Sequence, residues 1–198
     1  MINRDKRPVR ATGFCFVALL LAAAAIRAQQ PPAFRLGSGE PDAENRLALP
    51  ADTDRWIAVG SSIGGEYSDE PFDPANPGAI GIVQMEPAAY DYFLDNGEYA
   101  DGTMFLLSFY VPQEKPEPEL PGFVQGPLAQ QEIHLIDRQR FPEEGRAFYL
   151  FTPGTTEPSA PLPLGSPCFV CHMEHGDYDG TFTQFYPHLR ERFVDLTN

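Results

Sequence analysis

Near the C-terminal end the chain reads Ser166-Pro167-Cys168-Phe169-Val170-Cys171-His172. Two cysteines three apart, with a histidine directly after the second, form the pattern Cys-x-x-Cys-His. One turn of helix brings the two thiols to one side, where each can add to a vinyl group of a haem. The adjacent histidine then lies beneath the iron as its axial ligand. Cys168 and Cys171 are therefore the candidate attachment points of one covalent haem c, and His172 is the candidate proximal iron ligand. Pro167 suits the first position of such a helix and Ser166 its cap.

Other chemistries use the same residue types. A zinc site could recruit Cys168, Cys171, His175 and His188, but it needs reduced thiols. A Cys168–Cys171 disulfide of the thioredoxin kind is a second alternative, although no βαβ unit precedes it. A chance match is the third. Among the other candidate iron ligands, His134 falls on a strand and is the best second ligand, against the commoner role of a hydrogen-bonded strand histidine. Met85 and Met104 lie on apolar strands, where core packing is the ordinary role. His175 and Met173 sit too close to His172 to reach the opposite side of a haem.

The compartment bears on this choice. Arg4, Lys6, Arg7 and Arg10 precede a thirteen-residue apolar run from Phe14 to Ile26, and Ala28 offers a small residue for cleavage before Gln29. This is the plan of a secretory signal peptide over residues 1–28. The run is shorter than the roughly 18 residues that span a bilayer, so no membrane span is expected in the mature chain. Cys15 leaves with the run, so the mature chain keeps Cys168 and Cys171 as its only cysteines. An exported, periplasmic protein meets an oxidising environment that disfavours free zinc-binding thiols.

Charge narrows the partners. The 198 residues carry 14 Lys and Arg against 28 Asp and Glu. Five of the basic groups but one acid, Asp5, lie in the first 27 residues, so the rest has 9 against 27 and a net charge of −18. Such a body repels phosphate backbones, which excludes nucleic acid as a partner. An acidic surface suits a redox partner that presents a basic patch. Fifteen Phe and eight Tyr can fill a core and argue against disorder.

The elements that must position the motif follow from pattern. Residues 29–48 are rich in Pro, Gly and acid and read as a flexible lead. Asp52 or Thr53 can cap a short helix before Trp56, and Trp56 to Ser62 reads as a strand. Glu66 to Gly78 is a loop. Ala79 to Glu86 and Thr103 to Val111 are strong strands, with a helix from Pro87 to Leu94 that Asn96-Gly97 stops. Pro112 to Pro121 alternates Pro and Glu around Lys115 and reads as an exposed loop. Val124 to Ile136 holds one or two strands. Phe141 to Gly145 is a turn, and Ala147 to Phe151 returns to close a hairpin. Pro187 to Leu196 forms a final helix. No internal repeat or second domain is visible.

Several of these pieces together resemble the cytochrome P-460 family, which includes cytochrome c-prime-beta. They begin with Leu49-Pro50, Asp54-Arg55-Trp56, Glu86-Pro87-Ala88-Ala89 and Gly97-Glu98-Tyr99-Ala100-Asp101-Gly102-Thr103. They continue with Asp137-Arg138-Gln139-Arg140-Phe141, the Cys168–His172 motif, Asp177-Tyr178-Asp179 and Phe182-Thr183-Gln184-Phe185-Tyr186-Pro187. The resemblance covers residues 49–198. It implies an α+β fold, with a curved antiparallel β-sheet, flanking helices and a single haem c, in a homodimer. It implies further that Cys168 and Cys171 attach the haem, that His172 is proximal, and that the opposite face is open.

Members of the family bind nitric oxide at that face, and some oxidise hydroxylamine. The oxidisers carry a lysine cross-linked to the haem, near the strand after Asp-Gly-Thr. Here that strand is Met104-Phe105-Leu106-Leu107-Ser108-Phe109, and the only mature lysine is Lys115 among acids. No lysine–haem cross-link is expected. The oxidisers also place a carboxylate above the haem, just before the binding motif. Ser159 to Gly165 holds no acid, and Glu157 is the nearest there. The expected distal face is thus mainly apolar, with Phe105 or Phe109 as candidates, and no catalytic residue is assigned. The leading function is binding of a small ligand such as nitric oxide. Oxidation of hydroxylamine or a related nitrogen compound, and plain periplasmic electron transfer, are the alternatives.

Overall fold

A computed structural model describes residues 39–64, 71–116 and 120–197. The expected signal peptide, residues 1–28, lies outside the described residues. The apolar strands pair in simple sequence order. Five of them, β1 (Ile57–Gly64), β2 (Ala79–Met85), β3 (Thr103–Glu114), β4 (Phe123–Ile136) and β5 (Arg146–Phe151), form one open antiparallel sheet in the order β1-β2-β3-β4-β5. Among the described residues there are three α-helices, α1 (Pro87–Asn96), α2 (Pro167–His175) and α3 (Pro187–Thr197). The class is α+β, as the sequence suggested. No helix among the described residues is long and apolar enough to cross a membrane.

Local chemistry accounts for the ends of α1. The Glu86 carboxylate accepts from the Ala89 backbone N–H at 2.9 Å, and Pro87 occupies the first turn. Gly97 closes the helix at φ 74°, a conformation that glycine reaches without a Cβ penalty. Before β1 the chain makes only a 3-10 turn, Thr53–Arg55, without a side-chain cap.

The period of two along each strand sorts the side chains onto two faces. On one face Met104, Leu106, Ile133, Leu135, Ala147, Tyr149 and Phe151 pack into a closed core with Leu47 and Trp56. Leu47 is held there by paired backbone bonds with Ser159, at 2.8 Å in both directions. Tyr149 donates its hydroxyl to the Asn45 carbonyl at 3.1 Å. Residues 39–48, read from composition as part of a flexible lead, therefore close one side of this core, because Leu47 has an apolar slot to fill.

On the other face two rows run across the sheet. Register aligns Met85, Phe105, His134 and Phe148 in one row, and Gly60, Val83, Leu107, Glu132 and Leu150 in the next. α1 and α3 cover part of this face through Ala89, Phe93 and Leu189, which pack with Val59, Met85 and Phe105. Gly60 sits where Tyr186 crosses β1; a Cβ there would lie 2.5 Å from the ring.

The Pro-rich stretch after β3 differs from expectation. β3 extends to Glu114 and pairs Pro112 with Gln125 in a long hairpin with β4. The β2–β3 ladder ends at the pair Ile80–Tyr110, so no strand on that side requires the N–H that Pro112 lacks. Lys115 follows at the exposed hairpin tip, its N–H bonded to the Gly122 carbonyl at 3.0 Å. Residues 124–136, read as one or two strands, are continuous within β4.

Candidate functional site

α2 starts at Pro167, as its sequence indicates. Ser166 does not cap it. The Ser166 hydroxyl is buried without a partner, and its carbonyl takes the Val170 N–H at 3.1 Å instead. Phe169 docks the helix on the sheet by meeting Phe148 edge-on, with centroids 4.8 Å apart. Docking in this orientation brings Cys171 and His172 to the wall of a cavity of about 370 Å³. Cys168 is half-buried one turn earlier.

The cavity lies between α2, the sheet and the segment 181–186. Val83, Phe105, Leu107, Phe148, Phe182 and Phe185 give it an apolar, largely aromatic lining. Phe105 stands at this wall as expected, while Phe109, the other aromatic candidate, is not among the lining residues. The His172 ring is packed against Phe148 at 4.6 Å and Phe182 at 4.7 Å.

His172 is set up as a neutral base. Its Nδ1 lies 2.6 Å from the Gly180 carbonyl, which can only accept, so Nδ1 carries the proton and Nε2 keeps its lone pair. Burial lowers its pKa, with the Gly180 hydrogen bond opposing. A histidine whose second nitrogen donates to a backbone carbonyl has the orientation and basicity of a metal ligand.

Gly180 is itself clamped. It stands at φ 64° after Asp179, and a Cβ would collide with the Arg146 guanidinium. Arg146 donates to the Asp179 carbonyl, to its carboxylate at 3.0 Å, and to the Glu144 carbonyl at 2.9 Å. Arg138 binds the other Asp179 oxygen and reaches Asp101 at 3.2 Å. The pieces Asp137–Phe141 and Asp177–Asp179, distant in sequence, thus join to hold one carbonyl under His172. No side chain announces a backbone acceptor, so Gly180 could be found only through its turn-forming Asp-Tyr-Asp-Gly context.

His134 is near the site but not opposite His172. The two rings meet edge-on at 5.0 Å, and His134 stacks on Phe148 at 4.5 Å. Imidazoles on opposite sides of one metal need centroids about 6 Å apart, given bonds of about 2 Å on each side. His134 therefore flanks the His172 ring instead of standing where it could share a metal with it from the opposite side. Nor is it the satisfied strand histidine of the ordinary reading, since its Nε2 is buried without a partner. Burial holds its pKa well below the usual value, with the nearby His172 and Arg146 acting in the same direction.

The remaining candidates separate cleanly. Met85 and Met104 are buried on opposite faces of the sheet, in the two cores. Met173, His175 and His188 are exposed. Both thiols are free, and no cluster of three or more His, Cys, Asp or Glu among the described residues is arranged to hold a metal. The side chains that the zinc alternative needs are not gathered. Burial pushes the Cys168 thiol up to about 11, with Glu132 acting in the same direction. Burial raises Cys171 too, with Glu174 adding to it. Thiols held protonated are poor zinc ligands.

One lining residue departs from the sequence reading. The segment before the motif supplies no acid to the cavity, but β4 does: Glu132 stands at the wall, two residues before His134 on the same face. The expected apolar lining therefore contains a carboxylate.

The cavity residues fit a haem. An aromatic cleft accommodates a flat macrocycle, and a thiol and a tautomer-fixed imidazole stand together on its wall. Fold and site together fit a small α+β haem protein. The family model described as Cytochrome P460 matches residues 50–183, most of the chain, and the chain belongs to that family. No curated protein matches the chain significantly.

Proposed function

We propose that the protein is an exported mono-haem cytochrome c that binds a small uncharged ligand, such as nitric oxide, at an open haem face. The observation that carries this reading is the fixed His172 tautomer beside Cys171 in the wall of an aromatic cavity. Cys168 and Cys171 would hold the haem by thioethers, each thiol adding its sulfur and its proton across one vinyl group. No oxidant is required. His172 would bind the iron through Nε2, with the Gly180 carbonyl holding Nδ1. When bound, the haem supplies an iron with one position for an added ligand.

The cavity supports an open sixth position. His134 flanks the proximal ring, and the two strand methionines belong to the cores. Phe105, Leu107 and Val83 exclude water from the face they line, which favours neutral diatomic ligands. The mature protein resides in the periplasm as a homodimer in this reading, and its acidic surface meets a basic redox partner.

The test is a spectral series on purified holoprotein. The reduced form should be five-coordinate, and its spectrum should shift with nitric oxide or carbon monoxide. A low-spin reduced spectrum indifferent to either gas favours the electron-transfer alternative. Glu132 favours a second reading, oxidation of hydroxylamine, because a carboxylate at the wall can take a proton from a nitrogen substrate. Turnover of hydroxylamine with an artificial acceptor would establish it. Lys115 is exposed at the hairpin tip and is not among the residues lining the cavity, which supports attachment of the haem through the two thioethers alone.

A further inference from the structure

We infer that Tyr99 is a positioning residue for His172. Through Thr183 and Thr181 its hydroxyl fixes the turn whose Gly180 carbonyl holds His172 Nδ1, and so sets how strongly the imidazole donates to an iron. The proposal rests on the haem reading above and adds a tuning residue that is not among those lining the cavity.

The turn needs holding. Asp179 and Gly180 stand at φ 51° and 64°, and the Thr181 N–H closes the turn onto the Tyr178 carbonyl at 2.9 Å. Positive φ at both central residues is the type I′ pattern, which costs Asp179 more than it costs a glycine. Arg146 and Arg138 grip the turn through the Asp179 carboxylate. It is also laced to the segment that follows α1. Tyr178 donates its hydroxyl to the Gly97 carbonyl at 3.1 Å, and Arg138 donates to the Tyr99 carbonyl at 3.0 Å.

The hydroxyl chain between these segments has one direction. Thr181 gives its single hydroxyl proton to the Tyr178 carbonyl at 2.7 Å, which can only accept. Thr181 therefore accepts from Thr183 at 2.6 Å, and Thr183, its proton committed, accepts from Tyr99 at 2.7 Å. All three side chains are buried, where linked hydrogen bonds reinforce one another and a lost donor is costly. Burial pushes the Tyr99 phenol up to about 12, with Thr183 and Thr181 opposing, so it keeps the proton that it donates. Its ring is fixed too, stacked on Phe93 at 4.5 Å and edge-on to Phe105 at 5.3 Å. Gly180 lies between the two tied residues, Tyr178 and Thr181. A shift of either moves the carbonyl that stands 2.6 Å from His172 Nδ1. A weaker bond there leaves the imidazole a poorer donor.

The experiment reads the iron–histidine stretching frequency of the ferrous holoprotein and its midpoint potential. Tyr99→Phe keeps the ring and removes the hydroxyl. Its frequency should fall and its potential rise, since a poorer donor supports the ferric state less. Thr183→Val should shift both in the same directions. The double variant should go no further than the larger single shift, because both substitutions break one chain. Thr183→Ser keeps the hydroxyl and should stay near the natural protein. Leu135→Ala, destabilised on the opposite face of the sheet, should leave both readouts unchanged. Where Tyr99→Phe yields too little holoprotein, Thr183→Val against Thr183→Ser carries the comparison. Readouts unchanged in Tyr99→Phe and Thr183→Val, shifts that add in the double variant, or an equal shift in Leu135→Ala would overturn the proposal. A natural protein without a five-coordinate ferrous form would instead overturn the open-face reading, and the midpoint potentials then still test Tyr99.

Discussion

The two faces of the sheet use the same strands for opposite purposes. On one, Leu106, Ile133, Leu135 and Tyr149 close against Leu47 and Trp56 and leave a filled core. On the other, the rows through Phe105 and Leu107 end in His134, Glu132 and Phe148 beneath α2, and the space between is a cavity. Alternation along β4 produces the contrast within four residues: Ile133 and Leu135 point to the filled side, while Glu132 and His134 point to the cavity. An unpartnered buried nitrogen and a carboxylate are tolerated on the cavity side. The filled side also encloses an unpartnered nitrogen, Trp56 Nε1. The lesson is that a cofactor site can be recognised as the face of a sheet that its own sequence declines to fill.

The largest expected effect breaks the cavity face alone. His172→Ala should abolish the native haem spectrum, since no other imidazole is placed to replace it; His134 is buried beside the same ring. Absorption spectra of the purified variant check this, and a native-like spectrum would contradict it. On the filled face, Leu135→Ala should cost about 2–5 kcal/mol in urea unfolding, from lost burial plus the cavity left behind. The haem spectrum of the folded fraction should not change, and a changed spectrum would show that the two faces are coupled.

Smaller effects sharpen the boundary. Asp179→Asn should cost about 1–3 kcal/mol by loosening the hold of Arg146 and Arg138 on the turn. Because that turn carries the Gly180 carbonyl, the iron–histidine stretching frequency should fall as well. Gly60→Ala should cost about 1–3 kcal/mol in thermal or urea unfolding, because the added Cβ meets the Tyr186 ring at 2.5 Å. His134→Phe should have the smallest effect on the haem-free chain. Removing a buried nitrogen that lacks a partner is neutral or stabilising, within about 1 kcal/mol. A loss larger than about 2 kcal/mol would mean that His134 holds a bond not seen here.

Much of the fold was legible because local signals agreed. Glu86-Pro87 and Asn96-Gly97 bound α1 with the residue types its ends require. The apolar runs at Ala79, Thr103 and Ala147 have nowhere to go but into a sheet. The Cys-x-x-Cys-His motif pointed to the candidate site because its residues are adjacent in sequence. What remained hidden depends on long-range pairing. Glu132 joins the cavity only through the register of β4 with β3, and a search confined to the segment before the motif misses it. Pro112 is admitted to a strand because β2 stops at Ile80, a fact about a neighbour. Gly180 acts through its carbonyl, which every residue has. Ser166 has the right side chain for a cap, yet its hydroxyl is buried without a partner.

The central claim is that this cavity face holds a haem through Cys168, Cys171 and His172, and peptide mapping of denatured holoprotein tests its covalent part most directly. The expected result is one haem retained after denaturation on the peptide that contains Cys168 and Cys171, with Lys115 unmodified. Unmodified cysteines with a dissociable haem, or a haem attached at Lys115, would contradict the account.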